Sequence, residues 1–206
     1  MIQQGNLIVI SGPSGAGKGT ICKELLQQHP ELHYSISATT RQPREGEING
    51  VNYWFLSKEQ FLAMIERDEL LEWAEVYGNF YGTPRAYVDE VLGKGQDVVL
   101  EIDIQGAMKV KNKFPEGTFI FIVPPSLVEL SERLWQRGTD SPDVIRKRLQ
   151  CVREELSMAT NYHYLVVNDK LTEAVGKVEA IILAEKCRME RNVKLIETIS
   201  DTGSIG

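Results

Sequence analysis

Little in the 206 residues of this chain points to covalent or metal stapling. Its three cysteines, Cys22, Cys151 and Cys187, lie far apart and form no CxxC pair. Neither a disulfide framework nor a zinc site follows from that pattern. Long apolar runs are missing too: none approaches the ~20 residues that a membrane-spanning helix requires. No basic segment precedes the first apolar run, which argues against a secretory signal and makes a soluble cytoplasmic protein the expectation. Positive charge is in deficit, with 23 basic against 29 acidic residues and a net charge of −6. A broad face for nucleic acid would require the opposite balance, so neither nucleic acid nor a membrane is expected as a partner. A local cluster of arginines can still bind a small polyanion. Repeats, low-complexity tracts and Pro/Ser-rich linkers are also absent.

Present instead is a composition of 42% apolar and 25% charged residues, enough for one α/β domain with insertions. Short apolar runs at Leu7–Ser11, Asp97–Ile102, Thr118–Val123 and Leu165–Asn168 read as buried strands. Between and after them, Gly19–Gln28, Gly106–Lys113 and Leu171 to about Ile196 read as helices. That alternation predicts a parallel sheet flanked by helices. The last helix carries a stripe of Leu171, Val175, Val178, Ile182, Glu185 and Met189, apolar but for Glu185. Ser57 with Gln60, and Ser126 with Glu129, fit capping boxes at helix starts, and Ser141-Pro142 places a cap before a first-turn proline. Residues 200–206 are small and polar and are expected to fray.

Two segments depart from the alternation. Residues 33–90 hold strand-like pieces at Tyr34–Ser37, Tyr53–Phe55 and Leu70–Tyr77 around one helix, Lys58–Arg67, and read as a small mixed α+β insertion. Residues 130–153 are helical and arginine-rich, with Gly138 at a hinge or cap. The core is then 1–32, 91–129 and 154–206, within a single domain.

Chemistry enters at Gly12-Pro13-Ser14-Gly15-Ala16-Gly17-Lys18, which follows the first strand and opens the first helix. In that context GxxxxGK is a phosphate loop: glycines let the backbone wrap phosphate oxygens, and the helix N-terminus aims free N–H groups at them. Lys18 adds a mobile point charge for the β/γ-phosphates. Ser or Thr usually follows the lysine as a Mg²⁺ ligand, but here Gly19 stands there and Thr20 comes next. Either Thr20 substitutes or the ion keeps more of its water. Glu101 and Asp103, at the end of the Val98–Ile102 run, fall on one side of a strand and supply the acidic element of a metal site. A phosphate loop alone does not separate a GTPase, an ATPase and a kinase.

The block Ser35-Ile36-Ser37-Ala38-Thr39-Thr40-Arg41-Gln42-Pro43-Arg44, with Gly46-Glu47, Gly50, Tyr53 and Phe55, resembles the guanylate kinase family. So do Glu72-Trp73-Ala74-Glu75, Gly78-Asn79-Phe80-Tyr81-Gly82-Thr83, Glu101-Ile102-Asp103-Ile104-Gln105-Gly106, Pro124-Pro125-Ser126, Arg133 with Arg137-Gly138, Arg148-Leu149 and Val167-Asn168-Asp169. The resemblance runs in order along nearly the whole chain. It implies a P-loop α/β core, a GMP-binding insertion at 33–90, an arginine-rich lid at 130–153, and transfer of the γ-phosphoryl of ATP to GMP with Mg²⁺ as cofactor.

By that resemblance Arg41, Arg44, Tyr53 and Tyr81 hold the phosphate of GMP, and two guanidinium forks suit such a dianion. Ser37, Glu72, Thr83 and Asp103 belong to the guanine side. Guanine offers N1–H and a 2-amino group side by side, a donor pair that one carboxylate matches; adenine offers a bare acceptor at N1. Glu72 is therefore the expected discriminator, while Glu75 is expected to face solvent. Arg133, Arg137 and Arg148 are lid arginines that reach the transferring phosphates; Arg133 and Arg137 lie four apart and repel unless an anion sits between them. Asn168 falls near the adenine. Many members carry aspartate where this chain has Glu101, and the longer side chain bears on how Mg²⁺ is held.

Two other readings fit parts of the pattern. The Gly17-Lys18-Gly19-Thr20 run also resembles the adenylate kinase loop, against which Glu72 and the 37–44 block argue. Guanylate-kinase-like domains also serve as interaction scaffolds, but here both nucleotide sites are intact.

Overall fold

The computed structural model describes residues 5–136 and 142–201. In chain order the elements are β1 (Leu7–Ser11), α1 (Lys18–Gln28), β2 (His33–Tyr34), β3 (Ala38–Thr39), β4 (Trp54–Phe55), α2 (Lys58–Glu66), β5 (Leu70–Val76), β6 (Asn79–Pro84), α3 (Arg85–Gly93), β7 (Val98–Glu101), α4 (Ile104–Lys113), β8 (Thr118–Val123), α5 (Leu127–Gln136), α6 (Pro142–Ser157), β9 (Tyr164–Val167), α7 (Leu171–Lys186) and α8 (Met189–Asp201). Five strands form one sheet in the order β2-β7-β1-β8-β9, with every neighbouring pair parallel. Parallel pairing requires crossovers, and the crossover helices cover both faces. On one face Ile8, Ile10, Ile120 and Ile122 pack with Ile21 and Leu25 of α1 and with Val175 and Val178 of α7. On the other, Leu7, Val9, Phe119 and Phe121 pack with Val88 and Val91 of α3 and Val110 of α4. The two-residue period of a strand sorts the side chains between these layers, and burial of both faces explains why the strands read as unbroken apolar runs.

A second sheet, β4-β3-β6-β5, is mixed: β3 and β4 are parallel, and β6 runs antiparallel to both β3 and β5. It has its own small core of Ala38, Phe61 and Leu70. The Ser57 capping box forms in full, with each partner satisfying the other's backbone N–H. The α5–α6 pair packs through Leu130, Leu134, Ile145 and Val152.

Several expectations are corrected. The run Tyr34–Ser37 is not one strand: His33 and Tyr34 pair with β7 in the main sheet, and Ala38 and Thr39 pair in the small one. Both ends of the 33–90 segment thus lie in the core, since α3 also packs on the main sheet. The long C-terminal helix is broken between Lys186 and Met189. Its stripe is buried from Val175 through Glu185, with Leu171 half-buried, while Met189 is exposed. The break lets Arg188 and Arg191 turn toward the buried Glu185, at 3.5 and 3.8 Å, and a buried carboxylate needs such partners. At the second capping box Ser126 accepts the Glu129 N–H, but the Glu129 carboxylate is held by Arg133. The α4 helix begins at Ile104 rather than Gly106, because Asp103 caps the N–H groups of Gln105 and Gly106. Arg137, Gly138 and Ser141, and the tail from 202 onward, fall outside the described residues.

Candidate active site

A cleft of about 600 Å³ opens at the carboxyl ends of β1 and β7, with the small sheet on one side and α5–α6 on the other. Open parallel sheets commonly bind ligands at this edge.

Its floor is the loop after β1. Gly12 has φ 140°, and a Cβ there would fall 2.1 Å from the Ile122 carbonyl oxygen. Gly17 caps α1 in the left-handed region at φ 90°, and a Cβ there would fall 2.2 Å from Asn168 Nδ2. Only glycine fits either position. The Lys18 ammonium folds over the loop and donates to the carbonyls of Gly12 (2.7 Å) and Pro13 (3.1 Å). Burial lowers its pKa, and the negative charges of Glu101, Glu155 and Asp103 oppose that shift. Asn168 is buried, donates from Nδ2 to the Ala16 carbonyl (2.8 Å), and is itself fixed by its N–H on Val123. It is not among the residues that line the cleft, and its side chain bonds the back of the loop.

Gly19 and Thr20 are exposed on the cleft side of the loop. A Cβ at Gly19 would meet both Glu101 carboxylate oxygens at 3.4 Å, so this carboxylate reaches the place where the usual Ser or Thr side chain would stand. The Tyr34 hydroxyl donates to Glu101 Oε2 at 3.2 Å. Burial first, and the Glu101 charge second, keep that phenol protonated. Asp103 lines the same wall. Among the described residues no three His, Cys, Asp or Glu side chains converge on one point. A pair of hard carboxylate oxygen donors, without further ligands, suits a Mg²⁺ ion that retains most of its water.

The opposite wall is built by side chains. Glu72, on β5, is only 4% exposed. Its Oε1 accepts from Thr83 Oγ1 across the hairpin at 2.8 Å, and its Oε2 has no partner among the described residues. Gly106 leaves the space that Oε2 occupies, since a Cβ there would fall 2.5 Å from it. Burial pushes the Glu72 carboxyl up to about 7, with the Thr83 hydroxyl opposing and the Asp103 charge adding to the rise. Thr83 itself is fully buried and acts behind the lining. Arg41 forms a two-pronged ion pair with Glu47 at 2.9 Å on both prongs, and the Arg44 N–H also donates to Glu47. The Arg41 guanidinium lies 5.5 Å from the centre of the Tyr53 ring, which meets Tyr81 edge-on. Ser37, Arg41, Arg44, Tyr53 and Tyr81 all line the cleft. Glu75 is exposed, as expected.

From α5 and α6, Arg133 and Arg148 reach the cleft. Arg133 is held by Glu129 (2.8 Å), and Arg148 donates to the Ser14 hydroxyl of the phosphate loop. Sequence reasoning missed two polar lining residues, Tyr77 and Glu155. Glu155 lies seven residues after Arg148 on α6, two helical turns along one face, and that spacing was a usable signal. Tyr77 sits at a hairpin tip, where sequence gives no such cue.

Comparison with known proteins agrees with this geometry. The guanylate kinase family model matches residues 4–185. A guanylate kinase of Caldanaerobacter subterraneus is 60% identical over 193 residues, covering 94% of each chain. One of Desulfitobacterium hafniense is 59% identical over 187 residues, covering 91% of this chain and 94% of its own. The crystal structure of guanylate kinase from Anaplasma phagocytophilum superposes with a TM-score of 0.82 at 34% identity, covering 99% of this chain and 98% of that one.

Proposed function

The chain belongs to the guanylate kinase family, ATP-dependent enzymes that phosphorylate GMP to GDP, and from that premise we propose how its residues divide the work. The phosphate loop, 12–20, takes the phosphates of ATP on backbone N–H groups, with Lys18 leaving the Gly12 and Pro13 carbonyls for the β/γ-phosphates. Asn168 supports ATP binding by bracing the loop. On the acceptor side Arg41, Arg44, Tyr53 and Tyr81 grip the phosphate of GMP, which takes the Arg41 fork from Glu47. Glu72 reads guanine with help from Ser37, Thr83 and Asp103.

The single observation that carries the acceptor assignment is the buried, unpartnered Oε2 of Glu72. A carboxylate shut away from water with half its acceptor capacity unused is a poor design for stability and a good one for a ligand with adjacent donors. The N1–H and 2-amino groups of guanine are such a pair. Adenine would leave the carboxylate facing a lone pair.

Glu101 and Asp103 would hold Mg²⁺ through its waters, with Thr20 the hydroxyl nearest in sequence to the usual ligand position. When bound, the ion neutralises charge on the phosphate oxygens. The acceptor phosphate is already ionised and nucleophilic, so no side chain needs to act as a base. Catalysis is then alignment plus charge stabilisation: Lys18, Arg41, Arg133 and Arg148 surround the transferring group as charge spreads over its equatorial oxygens, and the family resemblance adds Arg137, which lies outside the described residues. The small sheet within the 33–90 segment and the 130–153 segment close over the two nucleotides and exclude water, which protects ATP from hydrolysis.

The test is a coupled assay of ADP formation from ATP and Mg²⁺ with GMP, AMP, UMP, CMP or no acceptor. Turnover confined to GMP is the expected result. A preference for AMP would discard the role given to Glu72, and GMP binding without turnover would favour a scaffold.

A further inference from the structure

Tyr77 has no part in the division of labour above, yet three observations converge on it. It and Gly78 are the two residues between β5 and β6, and its φ of 51° lies in the left-handed region. In two-residue hairpin turns that region is the province of Asn, Asp and Gly; a tyrosine there is strained, and such strain clusters at functional sites. Its ring lies under the Arg148 guanidinium, 5.1 Å from carbon to ring centre, and the same Arg148 donates to Ser14 of the phosphate loop. Burial foremost, then the Glu155 charge and the Cys151 thiol, pushes the phenol up to about 12, so Arg148 meets a neutral ring.

The side chain at the hairpin tip thus touches Arg148 of α6, and Arg148 in turn touches the phosphate loop. The same hairpin holds Glu72 paired with Thr83 and Ala74 paired with Tyr81, in a register that continues to Val76 and Asn79. Ligand contacts on Glu72 and Tyr81 therefore act on the strand pair that carries the Tyr77 ring. We propose that Tyr77 is a positioning residue: it seats Arg148 over the phosphate loop and thereby couples occupancy of the acceptor site to occupancy of the donor site. The proposal rests on the reading that Arg148 serves the transferring phosphates.

The experiment compares Tyr77→Asn, which suits the turn but lacks the ring, with Tyr77→Phe, which keeps the ring. Arg148→Ala and the Tyr77→Asn/Arg148→Ala double variant complete the set. Steady-state turnover is measured, together with calorimetric affinities for a non-hydrolysable ATP analogue with and without GMP. In the wild type GMP is expected to tighten the analogue, and no tightening would overturn the proposal. In Tyr77→Asn that coupling ratio falls to about one and kcat drops about tenfold, the scale of one lost cation–π contact. Each nucleotide measured alone binds within about twofold of wild type, as a contact made between the sites requires. Tyr77→Phe restores both coupling and kcat, and Tyr77→Asn adds nothing to Arg148→Ala. Wild-type coupling and kcat in Tyr77→Asn would overturn the proposal. So would a parallel loss of both single-ligand affinities and of melting temperature, which would mark a merely structural role. Unchanged kcat in Arg148→Ala would instead remove the parent reading of Arg148.

Discussion

The two walls of the cleft are made in different ways. The wall we assign to ATP is a contiguous stretch, residues 12–20, which on that assignment works through backbone N–H groups and one lysine. The wall we assign to GMP gathers side chains from Ser37 to Tyr81, and its central group is a buried carboxylate with one oxygen unpartnered among the described residues. Backbone N–H groups do not titrate, whereas a carboxyl raised to about 7 does so at working pH. Binding on the donor wall is thus expected to be tolerant of pH and of local sequence, and binding on the acceptor wall sensitive to both. The buried Glu185 sharpens the contrast: at 1% exposure it has Arg188, Arg191 and the Tyr164 hydroxyl as partners, and the chain needs nothing further to satisfy it.

Four measurements would break or sharpen this comparison. Largest is Lys18→Ala, expected to lower kcat by roughly 10²–10⁴-fold in the coupled assay, since its charge acts on the transferring group. Its melting temperature should equal or exceed wild type, because burial already disfavours the ammonium. Near-normal turnover would take Lys18 out of the mechanism.

Next is Glu72→Gln, expected to weaken GMP by about 10²-fold or more while calorimetry shows ATP-analogue affinity within about twofold. Equal loss of both ligands would mean that the two walls do not act separately.

A pH series follows. GMP affinity should fall as pH drops below about 7, approaching tenfold per unit, because binding needs the carboxylate. The Glu72→Gln variant, which retains the titration of the GMP phosphate, is the reference. Stability of the free protein has the opposite sign. A carboxyl raised from 4.5 to about 7 binds more protons folded than unfolded, so its contribution is present at low pH and is lost as pH rises through that window. Urea unfolding of the wild type should lose roughly 3 kcal/mol of this component between pH 4.5 and 7.5, a slope absent from Glu72→Gln. Identical slopes would show that Glu72 is ionised in the free protein.

Smallest is Asn168→Ala, which removes the brace on Ala16. ATP-analogue affinity should fall about three- to tenfold, the scale of one hydrogen bond, with GMP affinity unchanged. A GMP-side effect would contradict the separation of the walls.

Sequence alone determined the strands β1, β7 and β8 to within a residue or so, the helix after the phosphate loop, and the loop itself. All of these depend on local pattern: apolar runs, Gly–Lys spacing and capping residues act on their neighbours in the chain. It also determined the family, through motifs that keep their order over most of the chain. Only the tertiary structure decided that 34–38 is divided between two sheets, that the C-terminal helix breaks beside Glu185, and that Asn168 works behind the loop. The same holds for the unused acceptor capacity of Glu72 Oε2 among the described residues and for Tyr77 beneath Arg148. Each of these depends on which distant groups come within a few ångströms, as with Tyr77 and Arg148, 71 residues apart, and a side chain's partners in space leave no mark in its neighbours along the chain.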